Sequence, residues 1–111
     1  MVKNEDIARA FRNGTEAKTE NMFSENLGHG CSVVYSYGHH FPIAVRLSDG
    51  YCLYNTDKYS VSTSRHCSYV RKHCSIAREV NTKFLQMLIR KIDALPKGDI
   101  FNSDDLLLLD L

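Results

Sequence analysis

The chain has 111 residues, of which 43% are hydrophobic and 24% charged, and its net charge is +1. This length allows one domain with a modest core, and the composition is that of a globular protein and not of a disordered one. No apolar stretch is long enough to cross a membrane, and acidic residues occupy the N-terminal stretch where a secretory signal would be apolar, so we expect a protein in the cytoplasm of the cell that makes it.

The N-terminal third predicts one short helix followed by a loop. Residues 4–12 have a capping residue, Asn4, and an apolar pair four residues apart, Ile7 and Phe11, so we expect a helix there. Residues 14–30 are polar and contain three glycines. This composition predicts a loop between the helix and the rest of the domain.

The middle of the chain predicts a β-meander. Apolar residues alternate with polar or small ones over residues 31–37 and 41–47, and a third apolar stretch follows at 51–55. The dipeptide Asp49-Gly50 between the last two is a strong signal for a two-residue hairpin turn. Three strands with one apolar face are not stable alone, so a helix is expected to cover that face.

The covering helix is predicted downstream, where an apolar stripe runs through residues 65–95. Ser62 or Ser64 is its expected N-cap, and a break near Asn81 would divide it into two. The tail, residues 99–111, pairs acidic residues with leucines, and it either packs on the core or forms a flexible acidic motif. The expected fold class is α+β, with residues 1–111 as a single domain. Its architecture is a three-stranded antiparallel meander covered by a long or broken C-terminal helix, with a short N-terminal helix.

The charge is distributed in blocks. Residues 58–91 hold eight Lys/Arg and one acidic residue, a net charge of +7, whereas the segments before and after are acidic. Such a block is either a solvated helix face or a docking surface for phosphates or an acidic partner.

The four cysteines, Cys31, Cys52, Cys67 and Cys74, are expected to be reduced and to pack as small hydrophobic residues. His66 and His73 each precede one of the last two, which suggests zinc. Residues seven apart on a helix are separated by about 10 Å along its axis, however, whereas zinc ligands all lie within about 2.3 Å of the ion. We therefore expect neither a metal site nor a cofactor.

Two catalytic alternatives stay open. Cys67 near a helix start, next to His66, is a candidate nucleophile whose thiolate the helix end would stabilise. A small metal-independent ribonuclease would use His66 or His39 as its base and Arg46 or Arg65 to hold the phosphate. Neither alternative is supported by a recognisable catalytic motif, so binding is favoured over catalysis.

The favoured site is an anion-binding helix start. Hydroxyl-bearing residues lead directly into the basic helix, where free N–H groups and the helix dipole form a receptor for phosphate. Tyrosine rings nearby offer faces for stacking on bases. The expected phosphate-binding residues are Lys58, Ser60, Thr63, Ser64, Arg65, His66, Arg71 and Lys72, and the expected stacking residues are Tyr54, Tyr59 and Tyr69.

Two phrases carry a resemblance to a known group of proteins. They are SYGHHFPIAVR, residues 36–46, and NTDKYSVSTSRH, residues 55–66. They resemble a family of small uncharacterised phage and mobile-element proteins with a Ser-Tyr-Gly turn, a Pro-Ile-Ala strand and a Tyr-Ser-x-Thr-Thr-Ser-x-His motif. Ser62 stands where that family more often has Thr. The resemblance covers roughly residues 20–75 and implies a phage or mobile-element accessory protein.

The function expected from these observations is binding of nucleic acid or of a nucleotide-type anion through the basic helix and its capped N-terminus. A protein-binding inhibitor of a host defence complex is the alternative, with the basic helix docked on an acidic surface. The ribonuclease is the second alternative.

Overall fold

A computed structural model describes residues 2–109, apart from the side chain of Leu108. Within this range the chain forms helices α1 (Asn4–Arg12), α2 (Val61–His73) and α3 (Thr82–Asp93), and a final 3₁₀ helix (Ser103–Leu108). The strands are β1 (Ala17–Lys18), β2 (Met22–Gly28), β3 (Cys31–Ser36), β4 (Pro42–Arg46), β5 (Cys52–Asn55) and β6 (Arg78–Val80).

The six strands form one mixed sheet in the order β1-β2-β3-β4-β5-β6. Neighbours are antiparallel except β5 and β6, which run parallel. The α+β class and the short N-terminal helix are confirmed, but the prediction of a three-stranded meander is wrong. Strands β1 and β2 lie in the segment predicted to be a loop, and β6 interrupts the segment predicted to be helical.

Both faces of the sheet are covered, which corrects the expectation of one covered face. Helices α1 and α2 pack on one face, and α3 with the 3₁₀ helix packs on the other, so two separate apolar clusters flank the sheet. Every residue of β3 is buried, including Ser32 and Ser36, whose positions in the sequence suggested a solvent-facing side. Because β3 lies inside the sheet, its side chains contribute to the apolar clusters on both faces.

The segment between α2 and α3 leaves the helical conformation to pair with the sheet. The Ala77 N–H donates to the Cys52 carbonyl at 2.9 Å, which brings the chain alongside β5. Helix α3 then starts anew, because the Asn81 side chain accepts a hydrogen bond from the Phe84 N–H at 2.8 Å. Of the two alternatives, one bent helix or two helices meeting near Asn81, neither matches the structure fully: α3 starts after Asn81, but α2 already ends at His73 and β6 lies between them. The two helices cover opposite faces of the sheet.

The tail contributes to the second face. Phe101 and Leu106 are buried in the cluster beneath α3, and the Phe101 N–H donates to the His29 carbonyl at 3.0 Å. Residues 110 and 111, the end of the predicted acidic tail, lie outside the described residues. In the part of the chain that the structure covers, no helix is long and apolar enough to cross a membrane.

Candidate nucleic-acid interface

The N-cap of helix α2 is Ser60, two residues before Ser62 and four before Ser64, the expected N-caps. The Ser60 side chain accepts a hydrogen bond from the Thr63 N–H at 3.1 Å. The N–H groups of Val61 and Ser62 have no acceptor among residues 2–109, and the Val61 side chain is 81% exposed. This helix end is therefore open, with free donors and the positive end of the dipole at the surface.

A buried hydrogen-bonded chain supports the helix start from below. His66 Nδ1 lies 2.7 Å from Ser36 Oγ, and that hydroxyl donates to Thr63 Oγ1 at 3.1 Å. On the other side of the ring, Nε2 lies 3.4 Å from the Asn4 side-chain amide nitrogen. The Thr19 hydroxyl donates to the Asn4 side-chain oxygen at 2.6 Å and so orients that amide. The network joins the start of α1 and the end of β3 to α2.

His66 is neutral in this setting. Its ring is almost completely buried, and this burial, with a smaller effect of the Arg65 charge, lowers the pKa of His66 below its usual value. Because the Asn4 amide donates to Nε2, the proton of the neutral ring lies on Nδ1 and is donated to Ser36. Thr63 is buried as well. His66 and Thr63 therefore position the helix start without facing a ligand.

Two exposed tyrosines flank the open end of α2. Tyr37 has a left-handed backbone with φ of 65°, and its N–H donates to the Asn21 carbonyl at 2.7 Å. The Tyr37 ring lies 5.2 Å from the His66 ring, and 46% of the residue is exposed. Tyr59 is 60% exposed and lies 5.3 Å from the His40 ring. The two residues therefore present exposed ring surface for stacking near the start of α2.

The cations predicted for the site divide into two groups. Lys58 and Arg65 are exposed and make no ion pair with the described residues. By contrast, Arg71 pairs with Glu79 at 3.0 Å on one side of α2, and Lys72 pairs with Glu5 at 3.0 Å on the α1 side. The first pair of cations adjoins the helix start, and the second pair is compensated by carboxylates further along the helix.

The predicted stacking residues and the remaining hydroxyl-bearing residues differ in exposure. Tyr54 is 7% exposed and lies under the Arg71 guanidinium, 5.1 Å from the ring centre. Tyr69 is half-buried against the cluster between α1 and α2, whereas Tyr59 and Ser64 are exposed. Tyr54 and Tyr69 therefore do not offer a free face. We define the entry surface as Tyr37, Lys58, Tyr59, Ser62 and Arg65.

Sequence reasoning missed Tyr37 as a site residue and Ser36 and Asn4 as its support. The available signal was the Ser36-Tyr37-Gly38 phrase, which accompanies the Tyr-Ser…His phrase in the family that the chain resembles. The structure brings the two phrases together across 30 residues through the contact between Ser36 and His66. A Cβ at Gly38 would lie 2.9 Å from His40 Nδ1, so a larger residue in this turn would displace the exposed His40 ring.

The chemistry of the other candidate residues favours neither a metal nor a thiolate at the entry surface. Among residues 2–109, no three His, Cys, Asp or Glu side chains are grouped so that they could hold a metal ion. Burial raises the pKa of the Cys67 thiol to about 11, and the His66 ring bonds Ser36 and Asn4. Cys67 is thus protonated at neutral pH.

No protein-family model, curated protein or solved structure matches this chain. The resemblance to phage and mobile-element proteins therefore stays an expectation, and the function is proposed from the residues of the chain itself.

Proposed function

We propose that the protein binds nucleic acid, or a nucleotide-type anion, at the entry surface. One observation carries the proposal: exposed aromatic rings, Tyr37 and Tyr59, stand beside an open helix N-terminus whose neighbouring cations, Lys58 and Arg65, have no acidic partner among residues 2–109. Phosphate binds to free N–H groups at such helix ends, and bases of every type stack on aromatic rings. The combination fits a ligand that carries both a phosphate and a base.

The individual roles follow from position. Arg65 and Lys58 contact phosphate oxygens, the Val61 and Ser62 N–H groups donate hydrogen bonds to a phosphate at the helix end, and Tyr59 stacks on a base. His66 acts indirectly, because its buried ring contacts Tyr37 and holds the helix start against β3. Contacts of this kind position a strand without reading its sequence, so binding should depend steeply on salt.

This proposal uses a smaller set of cations than the sequence suggested. Arg71 and Lys72 are left out because each already pairs with a carboxylate at 3.0 Å. A phage or mobile-element accessory role, which the resemblance implies, is compatible with such a binder and belongs to the same proposal.

The test is fluorescence anisotropy with labelled single-stranded DNA and RNA of mixed sequence, measured at two salt concentrations. The Arg65→Ala variant should bind more weakly and should reduce the slope of log K against log salt by about 1. The Tyr59→Ala variant should lose about 1–3 kcal/mol, or about 5- to 150-fold in affinity, with the salt slope unchanged. Unlabelled mononucleotides as competitors distinguish a strand binder from a nucleotide binder.

Arg90→Ala is the matched control. Arg90 is an exposed arginine on α3, which covers the opposite face of the sheet, so its removal changes the net charge equally without touching the entry surface. Its affinity and salt slope should equal those of the wild type. Absence of salt-sensitive binding at micromolar wild-type protein would refute the function, and equal losses for Arg65→Ala and Arg90→Ala would refute the location.

A further inference from the structure

A second cluster of reactive groups lies at the other end of α2, beyond the reach of the entry surface. Cys52 opens β5 and is buried, and Cys74 follows the last residue of α2 and is half-buried. The hydrogen bond from the Ala77 N–H to the Cys52 carbonyl holds the chain after Cys74 against β5. As a result Cys52 and Cys74 line the same pocket, although they are 22 positions apart in the sequence.

The thiol pair opens into a cationic pocket. A pocket of about 270 Å³ is lined by Cys52, Cys74 and His73, together with the guanidinium-bearing residues Arg12 and Arg46. Arg46 is the direct cross-strand partner of Cys52, which places both side chains on the same face of the sheet. His73 Nε2 lies 2.6 Å from the Glu5 carboxylate. A small anion therefore has access to the sulfur atoms.

The two thiols differ in their chemistry. The neighbouring Cys52 thiol, aided by Arg12 and Arg46, lowers the pKa of Cys74 against the opposing effect of burial. The neighbouring Cys74 thiol, together with burial, raises the pKa of Cys52. Cys74 is also the more accessible of the two thiols, since it is half-buried whereas Cys52 is buried, so Cys74 is the expected nucleophile and Cys52 reacts in the second step.

A polar row extends the cationic pocket across the sheet. Asn26, Ser32, Arg46 and Cys52 are successive cross-strand partners on one face. Ser32 is buried, and its hydroxyl has no hydrogen-bond partner among the described residues, while Arg46 lines both the thiol pocket and a neighbouring pocket of about 240 Å³ that contains Ser32. The Glu16 carboxylate accepts from the Asn26 N–H at the outer end of the row. An anionic ligand is therefore expected between Arg12 and Ser32.

We propose that Cys52 and Cys74 form a redox-active dithiol whose oxidant is a low-molecular-weight disulfide carrying carboxylate groups. The Cys74 thiolate attacks one sulfur of that disulfide and forms a mixed disulfide, releasing the other half as a thiolate. Cys52 then loses its proton and attacks the Cys74 sulfur, which forms the Cys52–Cys74 disulfide and releases the second half as a thiolate. Two protein thiols are oxidised and one disulfide is reduced to two thiols.

The remaining cysteines are suited to serve as internal controls. Cys31 packs in the cluster on the opposite face, its thiol donates to the Phe101 carbonyl at 3.4 Å, and burial raises its pKa to about 11. Cys67 is buried within α2, with its pKa also raised to about 11 by burial. Neither should form a thiolate at neutral pH, so exchange with the disulfide should be confined to Cys74.

The test starts from the reduced wild-type protein and oxidised glutathione, which supplies the anionic disulfide. After an acid quench, alkylation and peptide mapping by mass spectrometry should show one intramolecular disulfide between Cys52 and Cys74, with Cys31 and Cys67 still alkylated. Mapping needs no variant, so it is unaffected by folding defects. Glutathione attached mainly to Cys31 or Cys67, or no intramolecular disulfide formed under native conditions, would overturn the proposal.

Variants then test the order of events and the role of charge. Cys52→Ser should accumulate a stable mixed disulfide between Cys74 and glutathione, whereas Cys74→Ser should form neither product. Arg12→Ala should slow exchange with oxidised glutathione about fivefold more than exchange with the uncharged bis(2-hydroxyethyl) disulfide. Equal slowing with both oxidants would refute the recognition of carboxylates, and a mixed disulfide on Cys52 in Cys74→Ser would refute the assignment of the nucleophile. The entry surface is untouched in these variants, so nucleic-acid binding is assessed separately.

Discussion

The most direct test of the buried network compares the same substitution at two positions of β3. Ser32 and Ser36 lie four residues apart on one strand, face the same side of the sheet and are both buried, with 2% and 1% of the residue exposed. Their hydrogen bonding differs. Ser36 Oγ contacts both His66 and Thr63, whereas Ser32 Oγ has no partner among residues 2–109. We therefore expect Ser36→Ala and Ser32→Ala to have different effects on stability.

The expected magnitude follows from the groups that lose a partner. In Ser36→Ala the His66 Nδ1–H is left buried without an acceptor and Thr63 loses a donor, which should cost about 2–3 kcal/mol in the free energy of unfolding. With an unfolding entropy of about 2.1 cal/mol/K per residue, each kcal/mol corresponds to about 4 °C in this chain, so Tm should fall by about 8–13 °C. Ser32→Ala removes a buried hydroxyl that makes no hydrogen bond to the described residues, so the Tm of this variant should be unchanged or raised by a few degrees.

Differential scanning calorimetry and urea denaturation followed by circular dichroism measure both variants at pH 7.5. The m-value of each variant should equal that of the wild type, which shows that the same surface is exposed on unfolding. Equal losses in the two variants would refute the reasoning, because burial and strand position would then determine the effect instead of hydrogen bonding. A loss below about 0.5 kcal/mol in Ser36→Ala would likewise show that the contact with His66 contributes nothing.

The remaining predictions concern pH and backbone geometry. Burial lowers the pKa of His66 from its usual 6.5, so the unfolded chain binds the proton more readily than the folded chain does. The free energy of unfolding should therefore be at its full value above about pH 6.5 and should decrease as the pH falls below it. Urea titrations from pH 8 to 5 should show this decrease in the wild type and a flatter profile in His66→Gln. Hydrogen bonds from His73 and Lys72 lower the pKa of Glu5 from 4.5 to about 2, so these bonds stabilise the folded chain above pH 4.5 and lose that effect as the pH falls towards 2. The Tm difference between wild type and Glu5→Gln should vanish over that range, and a constant difference would contradict the prediction. A Cβ at Gly30, where φ is 78°, would lie 2.6 Å from the Ser48 Cβ, whereas at Gly50, where φ is 87°, it would meet nothing within 4 Å; Gly30→Ala should therefore lower Tm clearly more than Gly50→Ala, and equal shifts would show that φ alone sets the cost.

The elements with strong local signals were predictable from the sequence. The hairpin between β4 and β5 follows from the Asp49-Gly50 turn, and helix α1 from the pair Ile7 and Phe11, which are both buried. The start of α3 after Asn81 follows from a residue that caps helices better than it continues them. In each case the sequence pattern and the tertiary contacts favour the same local structure.

The missed strands lack such local signals. In β2 the core-facing position next to Met22 is occupied by Ser24, whose hydroxyl donates to the Thr15 carbonyl at 2.8 Å and accepts from the Ala17 N–H at 3.0 Å. A search for alternating apolar residues does not identify a buried serine, even when its hydroxyl makes hydrogen bonds within the fold, as Ser24 does here. Strand β6 is formed by parallel pairing with β5, which is a tertiary contact. Its three residues are mostly exposed, so they have no hydrophobic pattern that would predict a strand.

The candidate site was predictable where it is local and not where it depends on the fold. The hydroxyl-rich start of α2 and the proximity of Arg65 follow from the sequence alone. The pairing of Lys72 with Glu5 joins residues 67 positions apart, and the contact of His66 with Tyr37 depends on the turn after β3. Neither contact has a local pattern, so the number of cations free to bind a ligand could not be counted beforehand.

The order in which the two faces of the sheet are covered has a consequence during synthesis. All six strands are complete at residue 80, whereas α3 and the buried tail residues that cover the second face follow later in the chain. A nascent chain emerging from the ribosome therefore exposes Val33, Val45 and Leu53 on a bare sheet until the final 30 or so residues have left the exit tunnel. Such transient apolar surface is prone to aggregation and to capture by chaperones. Premature termination after β6 would make that exposure permanent.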